Sequence, residues 1–150
     1  YITHDVPVVI TRPSNNFGPR QHREKLIPKF MTNALEGKTL PIYGDGSNTR
    51  EWLYVTDTCR AIDTIVSEGS VGEIYNVGDG EEVSNLELTK KIIELTGASE
   101  ELIEFVEDRP GHDQRYAIES SKIRELGGEP AVSLDEGLER TLDFYRTRAQ

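Results

Sequence analysis

Two short runs constrain the fold more than anything else in the chain: Val6-Pro7-Val8-Val9-Ile10-Thr11 and Glu73-Ile74-Tyr75-Asn76-Val77. The first is a continuous β-branched stretch, without the apolar–polar alternation of a strand that has one wet face. Such a run belongs to a strand covered on both faces, as in a parallel sheet. Parallel strands cannot be joined by a tight hairpin and need a crossover, usually a helical one. The chain is therefore predicted to be mixed α/β. Its 150 residues fit one domain with an ordinary core. Yet they offer few strands to flank these two, which points to sheet neighbours on the N-terminal side of Tyr1.

The other segments read as follows. Arg12–Asn16 is the loop leaving the first strand, and such loops are where open α/β sheets bind ligands. A helix follows with Pro28 in its first turn, an apolar face of Ile27, Phe30, Met31 and Ala34, and Gly37 closing it. Leu40–Tyr43 is a short strand and Gly44-Asp45-Gly46 a turn. Trp52–Val55 is extended and leads into a helix from near Asp57 to Ser67, with Ile62, Ile65 and Val66 facing inward and Gly69 at its end. After the second run, Gly78-Asp79-Gly80 turns the chain. Ser84 and Glu87 then form a capping box, stapled by Val83 and Leu88, for a helix that stops at Gly97. Glu104–Val106 is a third strand and Ser120–Leu126 a short helix. A last helix is capped by Ser133 and Glu136 and carries the stripe Leu134, Leu138, Leu142, Tyr145.

Charge narrows the partners. The formal net charge is −10, with most of the excess acid after position 80. That surface would repel a phosphate backbone, so general nucleic-acid binding is not expected. The acidity fits either a solvated surface that aids solubility or a high-salt cytoplasm. Residues 11–29 run the other way, with Arg12, Arg20, Arg23, Lys25 and Lys29 against Glu24 alone. This suits a small anionic ligand, or else is a surface loop with mixed charges. No apolar run approaches the roughly 18 residues of a membrane helix, and the first residues lack the basic and apolar regions of a signal peptide. With a lone cysteine, Cys59, the chain is expected to be cytoplasmic.

No self-sufficient catalytic centre is legible. None of the six tyrosines begins a Tyr-x-x-x-Lys, no glycine-rich dinucleotide fingerprint follows a strand, and no metal-ligand spacing links the histidines and Cys59. What is present is a set of anion and amide contacts, each with a plainer alternative. Asn15 and Asn16 suit sugar hydroxyls or a carboxamide, or form an Asx-turn. Arg50 can clamp a diphosphate, or pair with Glu51 or Asp57. Arg109-Pro110-Gly111-His112-Asp113 closes over a ligand, or is a salt-bridged turn. Asn85 is a contact, or a second capping residue beside Ser84.

Four stretches carry a resemblance: Arg12-Pro13-Ser14-Asn15-Asn16-Phe17-Gly18-Pro19-Arg20-Gln21 with Glu24-Lys25-Leu26-Ile27-Pro28; Leu40-Pro41-Ile42-Tyr43-Gly44-Asp45-Gly46; Arg50–Asp57 with Arg60-Ala61-Ile62; and Asp108–Ile118. Together they resemble the dTDP-glucose 4,6-dehydratase family of extended short-chain dehydrogenases, over nearly the whole chain and in order. The resemblance implies that residues 1–150 are a C-terminal portion, with remnant Rossmann strands and a small mixed α/β nucleotide-sugar-binding domain. The NAD-binding Rossmann domain and its catalytic Tyr-x-x-x-Lys would lie outside. It implies sugar and cofactor contacts at Asn15, with Ser14 on the cofactor side. It implies nucleotide-sugar contacts at Lys25 and Leu26, a base wall of Pro41 and Tyr43, and a pyrophosphate clamp of Arg50 and Arg109. Asn85 and His112 complete the set. Phe17 and Glu51 depart from the Tyr and Asp common in the family, at positions outside these contacts.

For a complete enzyme the resemblance implies a homodimer that uses NAD to convert dTDP-glucose to the 4-keto-6-deoxy sugar. Hydride leaves C4, water is eliminated across C5 and C6, and hydride returns at C6. The chain by itself is then expected to bind substrate without turning it over and without holding NAD. A UDP-sugar epimerase or decarboxylase portion, and a freestanding nucleotide-sugar-binding module, are the alternatives.

Overall fold

The computed structural model describes residues 1–147. Strands β1 (Ile10–Pro13) and β5 (Ile74–Val77) pair in parallel, with Ile10 opposite Ile74 and Pro13 opposite Val77. The parallel pairing expected of the two runs is present, but its position differs from the sequence reading. The strand begins only at Ile10, because β5 reaches no further back, and Val6 and Val8 are exposed instead of buried. The expected loop Arg12–Asn16 is largely strand. After a break at Ser14 the chain continues as β2 (Asn15–Phe17), which leaves β5 and pairs in parallel with β4 (Thr49–Tyr54).

Strand β4 organises the molecule. Its second half pairs with β2, and its first half pairs antiparallel with β6 (Glu82–Ser84) and parallel with β8 (Arg115–Tyr116). Side chains alternate across a strand, so Trp52 and Tyr54 enter one core while Leu53 enters another. The larger core lies between β2, β4 and three helices: α1 (Leu26–Leu35), α3 (Asn85–Thr96) and α5 (Leu134–Arg146). Helix α1 buries Ile27, Phe30, Met31 and Ala34, and α5 buries Leu134, Leu138, Leu142 and Tyr145, as their periodicities predict. Gly137 lets α5 lie against β2 and β4, since a Cβ there would come within 2.6 Å of the Phe17 ring. The smaller core joins Leu53 to Tyr75 and Val77 of β5, to Ala61 and Ile65 of α2 (Val55–Glu68), and to Ile123 of α4 (Ser121–Arg124). Strand β3 (Leu40–Tyr43) pairs in parallel with β7 (Ile103–Val106).

Helix α2 departs from its predicted face. Ile65 is fully buried, but Ile62 and Val66 are 41% and 71% exposed. The inward stripe is Asp57, Thr58, Ala61 and Ile65, because Asp57 is drawn in to accept a bond from the Val132 amide at 3.0 Å. The capping boxes differ as well. Ser84 and Glu87 exchange both bonds, whereas Ser133 accepts from the Glu136 amide while the Glu136 carboxylate turns to Arg140.

Candidate active site

The strap after β2, the β3 turn, the first half of β4, the start of α3 and the loop after β7 meet around a cavity of about 520 Å³. The size is that of a small-molecule site. Asn15, Lys25, Leu26 and Tyr43 line it, with Arg50, Asn85, Arg109 and His112 opposite. Of the substrate-side residues named from the sequence, Pro41 alone stays off this wall; it sits in β3 opposite Glu104 of β7. Ser14 also lies apart. Its amide bonds the Val77 carbonyl at 2.9 Å, and its buried hydroxyl has no partner.

Backbone geometry brings these side chains together. Arg50 and Trp52 are two apart on β4 and so share a face. Asn85 begins α3, whose first amides dock on the β3–β4 turn: Asn85 N bonds Asn48 O at 3.0 Å and Leu86 N bonds Gly46 O at 3.1 Å. Gly46 is needed there, because a Cβ would come within 2.8 Å of Ile42 and 3.0 Å of Leu86. The same turn grips the loop that carries Arg109 and His112. Thr49 N bonds Gln114 O at 2.9 Å, and Asn48 Nδ2 and Arg50 Nη2 donate to Asp113 O at 3.3 and 2.7 Å. The loop is pinned at its far end by Arg115, whose guanidinium grips Glu82 with bonds of 2.7 and 2.6 Å.

Two of the alternatives left open by the sequence, those at Arg50 and at the Asn15–Asn16 pair, narrow here, and the Arg109 loop carries the Asp108–His112 pair of a salt-bridged turn. Arg50 pairs with neither Glu51 nor Asp57. Glu51 is fully buried and accepts from the amides of Gly80 at 2.6 Å and Ile118 at 3.1 Å, and Asp57 engages Arg60 and Val132. Arg50 instead gives two bonds of 2.7 Å to the carbonyls of Thr49 and Asp113, which fix its fork at the cavity wall. Asn16, not Asn15, takes the structural role. Its amide donates to Ser14 O at 3.0 Å, and its side-chain oxygen accepts from Thr58. His112 is almost wholly buried, bonded to Asp108 at 2.7 Å and set edge-on to Tyr43 at 6.0 Å.

The result is three cations, Lys25, Arg50 and Arg109, on one cavity of a chain with net charge −10. None of the three forms an ion pair among the described residues. Two buried polar atoms on the same wall, Trp52 Nε1 and Asn85 Oδ1, also lack a partner. Buried polar atoms are normally satisfied, so a donor and an acceptor are left for a ligand. Trp52, Glu24 and Gln21 line the cavity without having been singled out as contacts. For Trp52 the signal was its spacing of two from Arg50.

The chain is 62% identical to the low-salt glycan biosynthesis protein Agl12 of Haloferax volcanii, over 95% of this chain and 46% of that protein. The dTDP-glucose 4,6-dehydratase DesIV of Streptomyces venezuelae, solved with NAD bound, superposes with a TM-score of 0.93 at 50% identity, over 97% of this chain and 46% of that one. A UDP-glucose 4-epimerase of Thermotoga maritima, solved with UDP-glucose, gives a TM-score of 0.89 at 32% identity, over 95% of this chain and 47% of that one. The chain thus spans about half the length of the relatives it matches. Its fold is that of the extended short-chain dehydratases and epimerases. The GDP-mannose 4,6-dehydratase family description matches residues 1–141, and the chain belongs to that family.

Proposed function

We propose that residues 1–150 form the substrate-binding part of an NAD-dependent nucleotide-sugar 4,6-dehydratase that acts on dTDP-glucose. The observation that carries this reading is the convergence of Lys25, Arg50 and Arg109 with Asn15 and Asn85 on one cavity. A diphosphate matches the cations, and a guanidinium held by its own carbonyl bonds meets two phosphate oxygens at once. Tyr43, backed by His112, offers a flat wall for a base. Asn15, with no side-chain bond of its own among those found, faces the sugar end with both a donor and an acceptor. Anchoring the substrate by its remote diphosphate holds the sugar where chemistry takes place, which is worth several orders of magnitude in rate.

NAD, when bound, supplies the reversible hydride transfer on which the elimination of water depends. Ser14 fits a role on the cofactor side. It stands at the carboxyl end of β1, where open parallel sheets bind ligands, and its buried hydroxyl has no partner among the described residues. The catalytic Tyr-x-x-x-Lys pair has no counterpart in residues 1–150, so this part binds and orients but does not react alone. The complete enzyme is proposed to be a homodimer. A UDP-sugar epimerase is the second reading, favoured by the likeness to the Thermotoga protein.

Calorimetric titration of the chain with dTDP, UDP and NAD in parallel separates these readings. The expected result is weak binding of dTDP, weaker binding of UDP and no detectable NAD. Tighter UDP favours the epimerase, and NAD tighter than dTDP overturns the assignment.

A further inference from the structure

The fold divides the basic stretch seen in the sequence. Lys25 lines the cavity described above, whereas Arg20 and Arg23 line a second one of about 1170 Å³. Gln21 stands between the two and lines both. Across the second cavity lie Thr32 and Leu35 of α1 and the end of α5. Arg20 and Arg23 are exposed at this wall, and neither forms an ion pair among the described residues. The one acid on that wall, Glu36, is engaged by Lys38 at 2.5 Å and lies within electrostatic reach of Arg23.

Two buried polar atoms without a partner belong to the same wall, Thr32 Oγ1 and Gln21 Oε1. Helical threonines usually return their hydroxyl to a carbonyl of the preceding turn. Thr89, Thr96 and Thr141 do so, to Asn85, Ile92 and Gly137, but Thr32 does not. Gln21 Nε2 donates to Asn16 O at 2.8 Å, which fixes the amide so that Oε1 is left as an acceptor. The wall thus presents two cations, a hydroxyl donor, an amide acceptor and the apolar Leu35. A phosphate monoester that carries free hydroxyls meets each of these. Its phosphate oxygens accept from the arginines and Thr32, and one hydroxyl donates to Gln21.

We propose that this cavity is a second binding site, for a phosphate monoester of the sugar-phosphate or nucleoside-monophosphate kind, and that it is coupled to the first cavity through Gln21. The residue is tied to both sides. Its carbonyl accepts from the Tyr145 hydroxyl at 2.9 Å, and its amide holds Asn16, the neighbour of Asn15. Coupling of this kind is reciprocal. It rests on the substrate-site reading above; the second site itself does not.

Amide chemical shifts of the chain, recorded during separate titrations with glucose 1-phosphate, AMP and inorganic phosphate, test the proposal. The expected result is movement of Gln21, Arg23, Thr32 and Leu35 with the esters, the tighter ester naming the source. Arg20→Gly with Arg23→Gln should weaken that binding about tenfold or more, and Arg50→Ala should leave it unchanged. Arg20 holds a φ of 66°, a conformation that glycine adopts freely, so this variant is expected to stay folded. If it does not, the wild-type map still decides. Movement confined to Asn15, Asn85 and Arg109 overturns the second site and leaves the substrate-site reading standing. Equal affinity for inorganic phosphate overturns the hydroxyl contact to Gln21. An ester affinity that saturating dTDP does not change overturns the coupling.

Discussion

Arg50 and Glu51 are neighbours on β4 with opposite work to do, and substitutions should separate them. Arg50 is fixed by the carbonyls of Thr49 and Asp113 and lines the cavity. A lysine keeps the charge but loses the fork. Arg50→Lys is therefore expected to weaken dTDP binding by roughly 1.5–3 kcal/mol, about one to two powers of ten, with little change in melting temperature. Unchanged affinity with a lower melting temperature would show that Arg50 only clips the Asp113 loop. Glu51 points the other way, into the interior, where its two oxygens each take one amide, from Gly80 and Ile118. Gly78 makes room for it, since a Cβ there would come within 2.1 Å of Glu51 Oε1. Glu51→Gln turns one acceptor into a donor facing an N–H. It should cost roughly 1–3 kcal/mol of stability in a denaturant titration, and a wild-type midpoint would refute the latch. Both residues stand in the same sequence motif. Their opposite faces on the strand put Arg50 on the cavity and Glu51 in the interior.

At the scale of elements, the loop that follows β7 is held in place by partners on β4 and β6 and makes no regular structure of its own beyond β8. Its Arg115 pairs with Glu82 of β6, and the guanidinium bonds hold the Glu82 carboxyl below its ordinary 4.5. A carboxyl depressed on folding binds its proton less readily than in the open loop. The anchoring is thus complete above the ordinary carboxylate range and is lost as pH falls through the depressed value. The amide signals of Arg109, His112 and Arg115 should therefore broaden or shift together in acid, below the ordinary carboxylate range. In Glu82→Gln they should already be displaced at neutral pH and show no such acid step. An acid step that survives in Glu82→Gln would place the anchor elsewhere. Helix α3, by contrast, carries its own start signal. Ser84 and Glu87 exchange hydrogen bonds within one turn, which is why this boundary was legible without tertiary information.

For the whole molecule, the β1–β5 pair and the outer face of α2 leave Val6, Val8, Ile10, Ile62, Val66 and Ile74 exposed. Residues 1–150 hold no Tyr-x-x-x-Lys and, given dTDP-glucose and NAD, are expected to form no 4-keto sugar, assayed by its absorbance in alkali; clear turnover would overturn the division of roles proposed here. Local physics was enough for much of the fold. The apolar stripes of α1 and α5, the cap of α3, the turn at Gly44-Asp45-Gly46 and the parallel character of β1 and β5 follow from periodicity and from side-chain bonds a few residues apart, whereas Gly78-Asp79-Gly80 forms no regular turn. Where those signals stopped, the sequence misled. The register of β1, the continuation of the chain into β2 and the true inward face of α2 depend on partners about 40 or more residues away, which no local period encodes. The site divides in the same way. The sequence, through its resemblance, named eight of the cavity's residues, missed Trp52, Gln21 and Glu24, and named Pro41, which lies off it. Their meeting on one wall, the choice between Arg50's possible partners and the separation of Arg20 and Arg23 into a second cavity were decided by tertiary packing, because each depends on which way a strand or strap faces once β4 has found its neighbours.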